Sequence, residues 1–158
     1  MLSQSTGNQE NGAIPLGLIS AVYHEERKTN LQLAMDKRML LVRKRGLILL
    51  EAIIGDDEGA FQRQLGLYKE ALKNHLKLVG VDVYVTLKNR EGASQQGLAV
   101  KKFEIETMAL LTKIATLLNQ SGVSRQQNKK LFAKAVGAAN LSLVRRYEQE
   151  KAVLLPLL

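Results

Sequence analysis

Apolar residues recur at helical spacing through most of the chain. Leu31, Met35, Val42, Leu49 and Ile53 fall at four- and seven-residue intervals, which predicts helix between Leu18 and Ile54, continuous or jointed near Thr29-Asn30. Leu40, Leu41, Leu47, Ile48 and Leu50 make the same stretch apolar nearly all round, the pattern of a helix enclosed by others or placed in an oligomer interface. A β-hairpin turning at Arg43-Lys44-Arg45-Gly46 is the rival reading, and it is weaker because neither flanking run alternates.

Gly55-Asp56-Asp57-Glu58-Gly59 stops one helix and opens the next, since Gly suits a helix C-terminus and Asp accepts from the free N–H groups of an N-terminus. Phe61, Leu65, Tyr68, Leu72, Leu76 and Val79 then form the cleanest amphipathic stripe in the protein, ended by Gly80. From Val81 to Leu87 branched and polar residues alternate at period two, which predicts a short extended segment. With no partner strand in view, that segment must pair across a dimer, pair with something undetected, or serve as a packed connector.

Lys88 to Gly97 is polar and reads as a loop. Phe103, Leu110, Leu111, Ile114, Leu117 and Leu118 face inward on a third helix. Ser124 with Gln127 has the form of a capping box and starts the last helix, on which Phe132, Val136, Ala139, Leu143 and Tyr147 share a side. Ala135, Gly137, Ala138 and Ala139 permit close approach of another helix. The expected fold is therefore mostly all-α, a bundle of four to five helices with one short extended segment near 81–87. Residues 1–13 offer almost nothing to bury and read as a disordered tail, leaving 14–158 as a single helical domain.

Charge adds a functional expectation. The 158 residues hold 23 Lys and Arg against 15 Asp and Glu, a net charge of +8. The excess is local: residues 37–54 carry five cations and one acid, and residues 101–158 carry ten and four. Lys37 with Lys44 and Arg38 with Arg45 are one heptad apart and make a basic ridge on a continuous helix. Arg125, Lys129, Lys130 and Lys134 form a second concentration, and Arg145 with Arg146 a third. Clustered cations attract a polyphosphate backbone regardless of base sequence, while a solvated helix face is the bland alternative. Three Phe, four Tyr and no Trp leave few stacking platforms, so duplex backbone contact suits this composition better than single-strand binding.

Leu117 to Gln127 joins an apolar helix end, a tight turn at Gly122 and a polar helix start, and over about 20 residues it resembles the helix-turn-helix of bacterial repressors. The resemblance implies that Arg125, Gln126 and Gln127 could touch bases while Lys129 and Lys130 bind phosphates. Leu118 stands where that pattern wants a small residue, and Asn128 where it wants an apolar one.

Catalytic constellations are mostly missing from the sequence. Without Cys there are no disulfides, thiolate nucleophiles or Cys-based zinc sites. His24-Glu25-Glu26-Arg27-Lys28 lacks the second His of a zinc helix, and His75 reads as a surface or boundary residue. Gly92 and Gly97 have P-loop spacing, but Leu98 and Ala99 replace the Lys and hydroxyl that phosphate and magnesium need. Asp56, Asp57 and Glu58 are explained by capping, and Tyr147 beside two Arg has no acid-base partner.

No enzyme, cofactor or metal is expected. The apolar stretches fall short of a membrane span, and residues 1–23 lack the form of a secretory leader, which makes cytoplasm the default location. The expected function is a non-catalytic nucleic-acid-binding module using Lys37, Arg38, Lys44, Arg45, Arg125, Gln126, Gln127, Lys129 and Lys130. The alternative is a helical adaptor, chaperone or structural subunit of a larger assembly that docks through helix faces and the apolar segment Ala152–Leu158. Homo-oligomerisation is expected in either case.

Overall fold

The computed structural model describes residues 16–91, 95–120 and 125–158. The elements in order are α1 (Leu16–Ile54), α2 (Glu58–Val79), a π-helical segment (Gly80–Val85), α3 (Thr86–Glu91), α4 (Gln95–Asn119), α5 (Lys129–Leu154) and a 3₁₀ turn (Leu155–Leu157). Among the described residues there are no strands, and the architecture is an all-α helical bundle. No described helix is long and apolar enough to cross a membrane. The tail predicted at 1–13 lies outside the described residues.

The chain divides into two compact units, Met1–Leu33 and Ala34–Leu158, with the division inside α1. In the first unit Leu18, Ile19, Val22 and Tyr23 are exposed, and the Arg27 guanidinium lies 5.9 Å from the centre of the Tyr23 ring.

The second unit holds the core. Met35, Met39, Val42, Leu49 and Ile53 are buried on α1, Phe61, Leu65, Tyr68, Leu72 and Val79 on α2, Ile114 and Leu118 on α4. All five stripe residues of the last helix, Phe132, Val136, Ala139, Leu143 and Tyr147, are buried. The expected enclosure of α1 is met on one side only, because Leu40 and Leu47 remain 61% and 54% exposed.

The extended segment predicted near 81–87 is helical. Gly80 has αR backbone angles, so the helix runs on through the π turn into α3. The period-two run misleads because it is also two sets at spacing four: Val83 and Leu87 are buried, while Val81 and Val85 are exposed. The wider π turn brings Tyr84 inward beside Val83, and the Thr86 hydroxyl donates to the Val81 carbonyl at 3.3 Å. The loop predicted at 88–97 is correspondingly shorter, since α3 reaches Glu91 and α4 starts at Gln95.

The last helix also starts later than Ser124, which lies outside the described residues. A helical turn at 125–127 is followed by Asn128 in an extended conformation, φ −155°, whose side chain accepts from the Leu131 N–H at 3.0 Å. Asn is a strong N-cap and restarts the helix there. At the other end Leu154, Leu155 and Leu158 of the apolar segment Ala152–Leu158 are buried, while Ala152, Val153 and Pro156 stay exposed.

Candidate functional site

Helices α1 and α5 run antiparallel, and the contacts between them fix the register. At one end Tyr147 donates its hydroxyl to Asp36 at 2.5 Å and Lys151 donates to the same oxygen at 3.1 Å. Midway, Gly46 faces Asn140 so closely that a Cβ would sit 2.7 Å from the Asn140 Cγ, which makes the lack of a side chain a packing requirement. Asn140 in turn accepts from the Tyr68 hydroxyl at 2.6 Å, tying α2 to the same point. Further along, Gly137 faces Leu50, with an added Cβ 3.2 Å from its Cδ1. Of the small residues of α5, Gly137 thus serves the close approach that their volume suggests, while Ala138 is exposed.

At the far end two cations hold the C-terminus of α1. Arg125 is buried, donates to the carbonyls of Ile53 (3.2 Å) and Gly55 (2.8 Å), pairs with Glu58 at 2.5 Å and lies 4.5 Å from the centre of the Phe61 ring. Lys129 donates to the Gly55 carbonyl at 3.2 Å and to Asp56 at 2.7 Å. These carbonyls are among those a helix leaves unsatisfied, and the cations also complement its negative end. The Lys129 ammonium holds the Asp56 carboxyl below the usual carboxylate range. The three acids at 56–58 are all engaged, because Asp57 caps α2 through the Ala60 N–H at 3.0 Å.

Part of the expected nucleic-acid surface is thus engaged with the protein's own oxygens. Arg125 and Lys129 are structural anchors whose donors face protein oxygens. Gln126 and Gln127 are exposed, but the helical residues 125–127 are cut off from the long last helix by the break at Asn128. Lys37, Arg38, Lys44 and Lys130 are exposed, and Arg45 is half-buried.

What the structure brings together is a different set. Arg43 and Lys44 on α1 and Lys130, Lys134 and Arg145 on α5 are exposed and take part in no ion pair among the described residues. Arg43 lines a cleft of about 270 Å³ between the two helices with Leu40, Val144 and Tyr147, and the other four cations lie on exposed positions of the same helix pair, the α1/α5 ledge. The same cleft is lined by two acids, Asp36 and Glu148, which pair with Lys151 at 3.1 and 3.4 Å. Arg43, Lys134 and Arg145 are not in the predicted set. For Lys134 and Arg145 the signal is the helical wheel of α5, on which 130, 134, 138, 141 and 145 share a side.

Arg146, one step from Arg145, turns inward. It pairs with Glu106 at 2.6 Å, donates to the Phe103 carbonyl and the Thr107 hydroxyl at 3.0 Å each, and lies 5.0 Å from the centre of the Phe103 ring. Beside it the Tyr84 hydroxyl contacts Glu150 and lies 3.1 Å from the Thr107 hydroxyl, which lies 3.3 Å from Glu150. Burial pushes the Glu150 carboxyl up to about 8. His75 is buried and not at the boundary; its ring meets Tyr147 edge-on at 5.5 Å, and burial lowers its pKa to about 4. Burial, with Asp36 beside it, raises the Tyr147 hydroxyl well above its usual range, which makes it a donor and a poor nucleophile.

Among the described residues no group of three or more His, Asp or Glu could hold a metal ion. The chain matches no family model, no curated protein and no solved structure.

Proposed function

We propose that this protein is a non-catalytic, cytoplasmic helical module that binds the backbone of duplex nucleic acid along the α1/α5 ledge. The observation that carries the reading is the partition of cations: Arg43, Lys44, Lys130, Lys134 and Arg145 stay exposed and unpaired on two adjoining helices while their neighbours are consumed inside. Exposed cations on an adjoining pair of helices suit phosphates better than base edges, so binding is expected to be indifferent to sequence. Arg43→Glu with Lys134→Glu and Arg145→Glu should weaken binding to a labelled duplex by about a hundredfold or more at low salt, and the wild-type affinity should fall steeply between about 50 and 200 mM salt. Absence of any complex at low salt, or equal binding by wild type and triple variant in fluorescence anisotropy, overturns the reading.

The same ledge supports a second reading, an adaptor or assembly subunit. Leu40, Leu47 and Leu141 stand among its cations, with Leu141 48% exposed, and phosphates have no use for leucine. On this reading partner binding persists through moderate salt and is lost on Leu40→Asp or Leu47→Asp. Self-association through these leucines would bring like charges together, so a homo-oligomer is expected to form more readily once a polyanion has neutralised the ledge.

A further inference from the structure

Away from the ledge, α2 and α4 leave an apolar groove between them. They are joined at one end, where Lys88 of α3 pairs with Glu104 at 2.8 Å and Tyr84 meets Thr107. Beyond that clamp a cavity of about 320 Å³ opens, with Leu72, Leu76, Leu111 and Leu118 on its walls and Lys69 and Lys73 on its rim. Leu72 and Leu118 are closed at the bottom, whereas Leu76 and Leu111 are half-buried and Ala115 is exposed.

The charge around the groove is one-sided. The acids of α4, Glu104 and Glu106, are both consumed by Lys88 and Arg146, and residues 108–119 contain no other. On α2, Lys69, Lys73 and Lys77 are exposed with Glu70 as the sole acid between them, and none of the three lysines forms an ion pair among the described residues. The α4 wall is neutral there: the Thr112 and Thr116 hydroxyls donate to carbonyls of their own helix at 2.8 and 2.9 Å.

We infer that this groove docks an amphipathic helix of a partner protein, its apolar stripe seated on the four leucines and a row of carboxylates along one flank meeting Lys69 and Lys73. Lys69 to Leu76 spans two helical turns, about 10 Å, which calls for anchors at i, i+3 or i+4, and i+7 in the guest. A leucine stripe alone would fit many helices; the cationic rim selects for acids on one side and against bases. The ledge of a second copy is a poor guest, because its exposed Leu40, Leu47 and Leu141 stand among Arg43, Lys44, Lys134 and Arg145, the same sign as the rim.

Two labelled synthetic helices of about four turns test this, both with leucines at the anchor positions, one with Glu and one with Lys along the flank. The Glu peptide should bind in fluorescence anisotropy and move the amide signals of Leu72, Leu76, Leu111 and Leu118. The variant Lys69→Glu with Lys73→Glu should bind it about tenfold or more weakly and should prefer the Lys peptide. Both substitutions are on exposed side chains, and an unchanged melting temperature confirms the fold. Equal binding of both peptides, binding of neither, or shifts confined to the α1/α5 ledge overturns the proposal. So does a concentration-dependent dimer whose contacts map to the groove, or a nucleic-acid duplex that displaces the Glu peptide from it. Because Arg43→Glu, Lys134→Glu and Arg145→Glu lie elsewhere, their combined variant should keep peptide binding, and the groove stands or falls independently of the ledge.

Discussion

Lys129 and Lys130, like Arg145 and Arg146, are sequence neighbours with opposite roles. Lys129 and Arg146 reach protein oxygens, whereas Lys130 and Arg145 face solvent and pair with nothing among the described residues. One residue step turns a helix by about 100°, enough to carry a side chain from an interface to the open side. A run of basic residues is therefore a mixture, and its functional part is found only after the structural part is subtracted. At the α1 C-terminus the subtraction removes Arg125 and Lys129; on the α1/α5 ledge it removes nothing from Arg43, Lys44, Lys134 and Arg145.

The sharpest way to break that contrast is Arg125→Ala. Its guanidinium satisfies two carbonyls at the end of α1 and covers Phe61. Removal should cost about 2–4 kcal/mol in denaturant unfolding, most of it from orphaned carbonyls and lost packing, because the partner Glu58 is 61% exposed and screened by water. A loss below about 0.5 kcal/mol, the scale of an ordinary surface substitution, would return Arg125 to the pool of cations open to a ligand.

Much of the helical scaffold was legible, and the reason is periodicity. Phe61 to Val79 and Phe132 to Tyr147 each repeat at three and four, and every member except Leu76 is buried. The extended segment expected at 81–87 rested on Val81, Val83, Val85 and Leu87, which satisfy period two and spacing four at once. What decides between them is Tyr84, whose inward position requires the extra residue of a π turn and whose partners Thr107 and Glu150 are distant in sequence. The candidate site was half legible for a related reason: a cation's partner is a tertiary fact. Nothing local to Arg125 says that Ile53 and Gly55 will present carbonyls to it, while Asn128, already out of place in a helix-turn-helix, carried the local warning that a new helix begins there.

Glu150 extends the comparison to acids. Asp56, Glu58, Glu104 and Glu106 each meet a cation, whereas Glu150 meets Tyr84 and Thr107, with Arg146 one hydroxyl away. With its folded pKa near 8 and an ordinary unfolded value, the unfolded chain releases this proton first as pH rises, so Glu150 makes stability fall from about pH 4.5 to about pH 8. His75, held near 4, works the other way below pH 6.5, where the unfolded chain takes up a proton that the folded one refuses. Between about 6.5 and 8 Glu150 therefore acts without that opposition, and the melting temperature should decline across this window. Glu150→Gln should flatten the decline and raise stability at pH 8 by about 1–3 kcal/mol. An unchanged slope would mean that Arg146 keeps the carboxylate ionised, placing Glu150 with the paired acids after all.

The smallest effect is the most direct test of the partition. Lys129 touches Asp56, which is fully in solvent, and the Gly55 carbonyl, so Lys129→Ala should cost about 0.5–1 kcal/mol and leave duplex binding nearly unchanged. Lys130→Ala should leave stability within about 0.5 kcal/mol and instead lower duplex affinity, reducing the slope of log affinity against log salt by about one. The two substitutions remove the same charge from adjacent positions, so composition and net charge are held constant between them. If both variants lose duplex affinity equally, the phosphate sees only total charge and the ledge has no privileged geometry. If they separate as expected, the orientation set by the helix decides which lysine a ligand can reach.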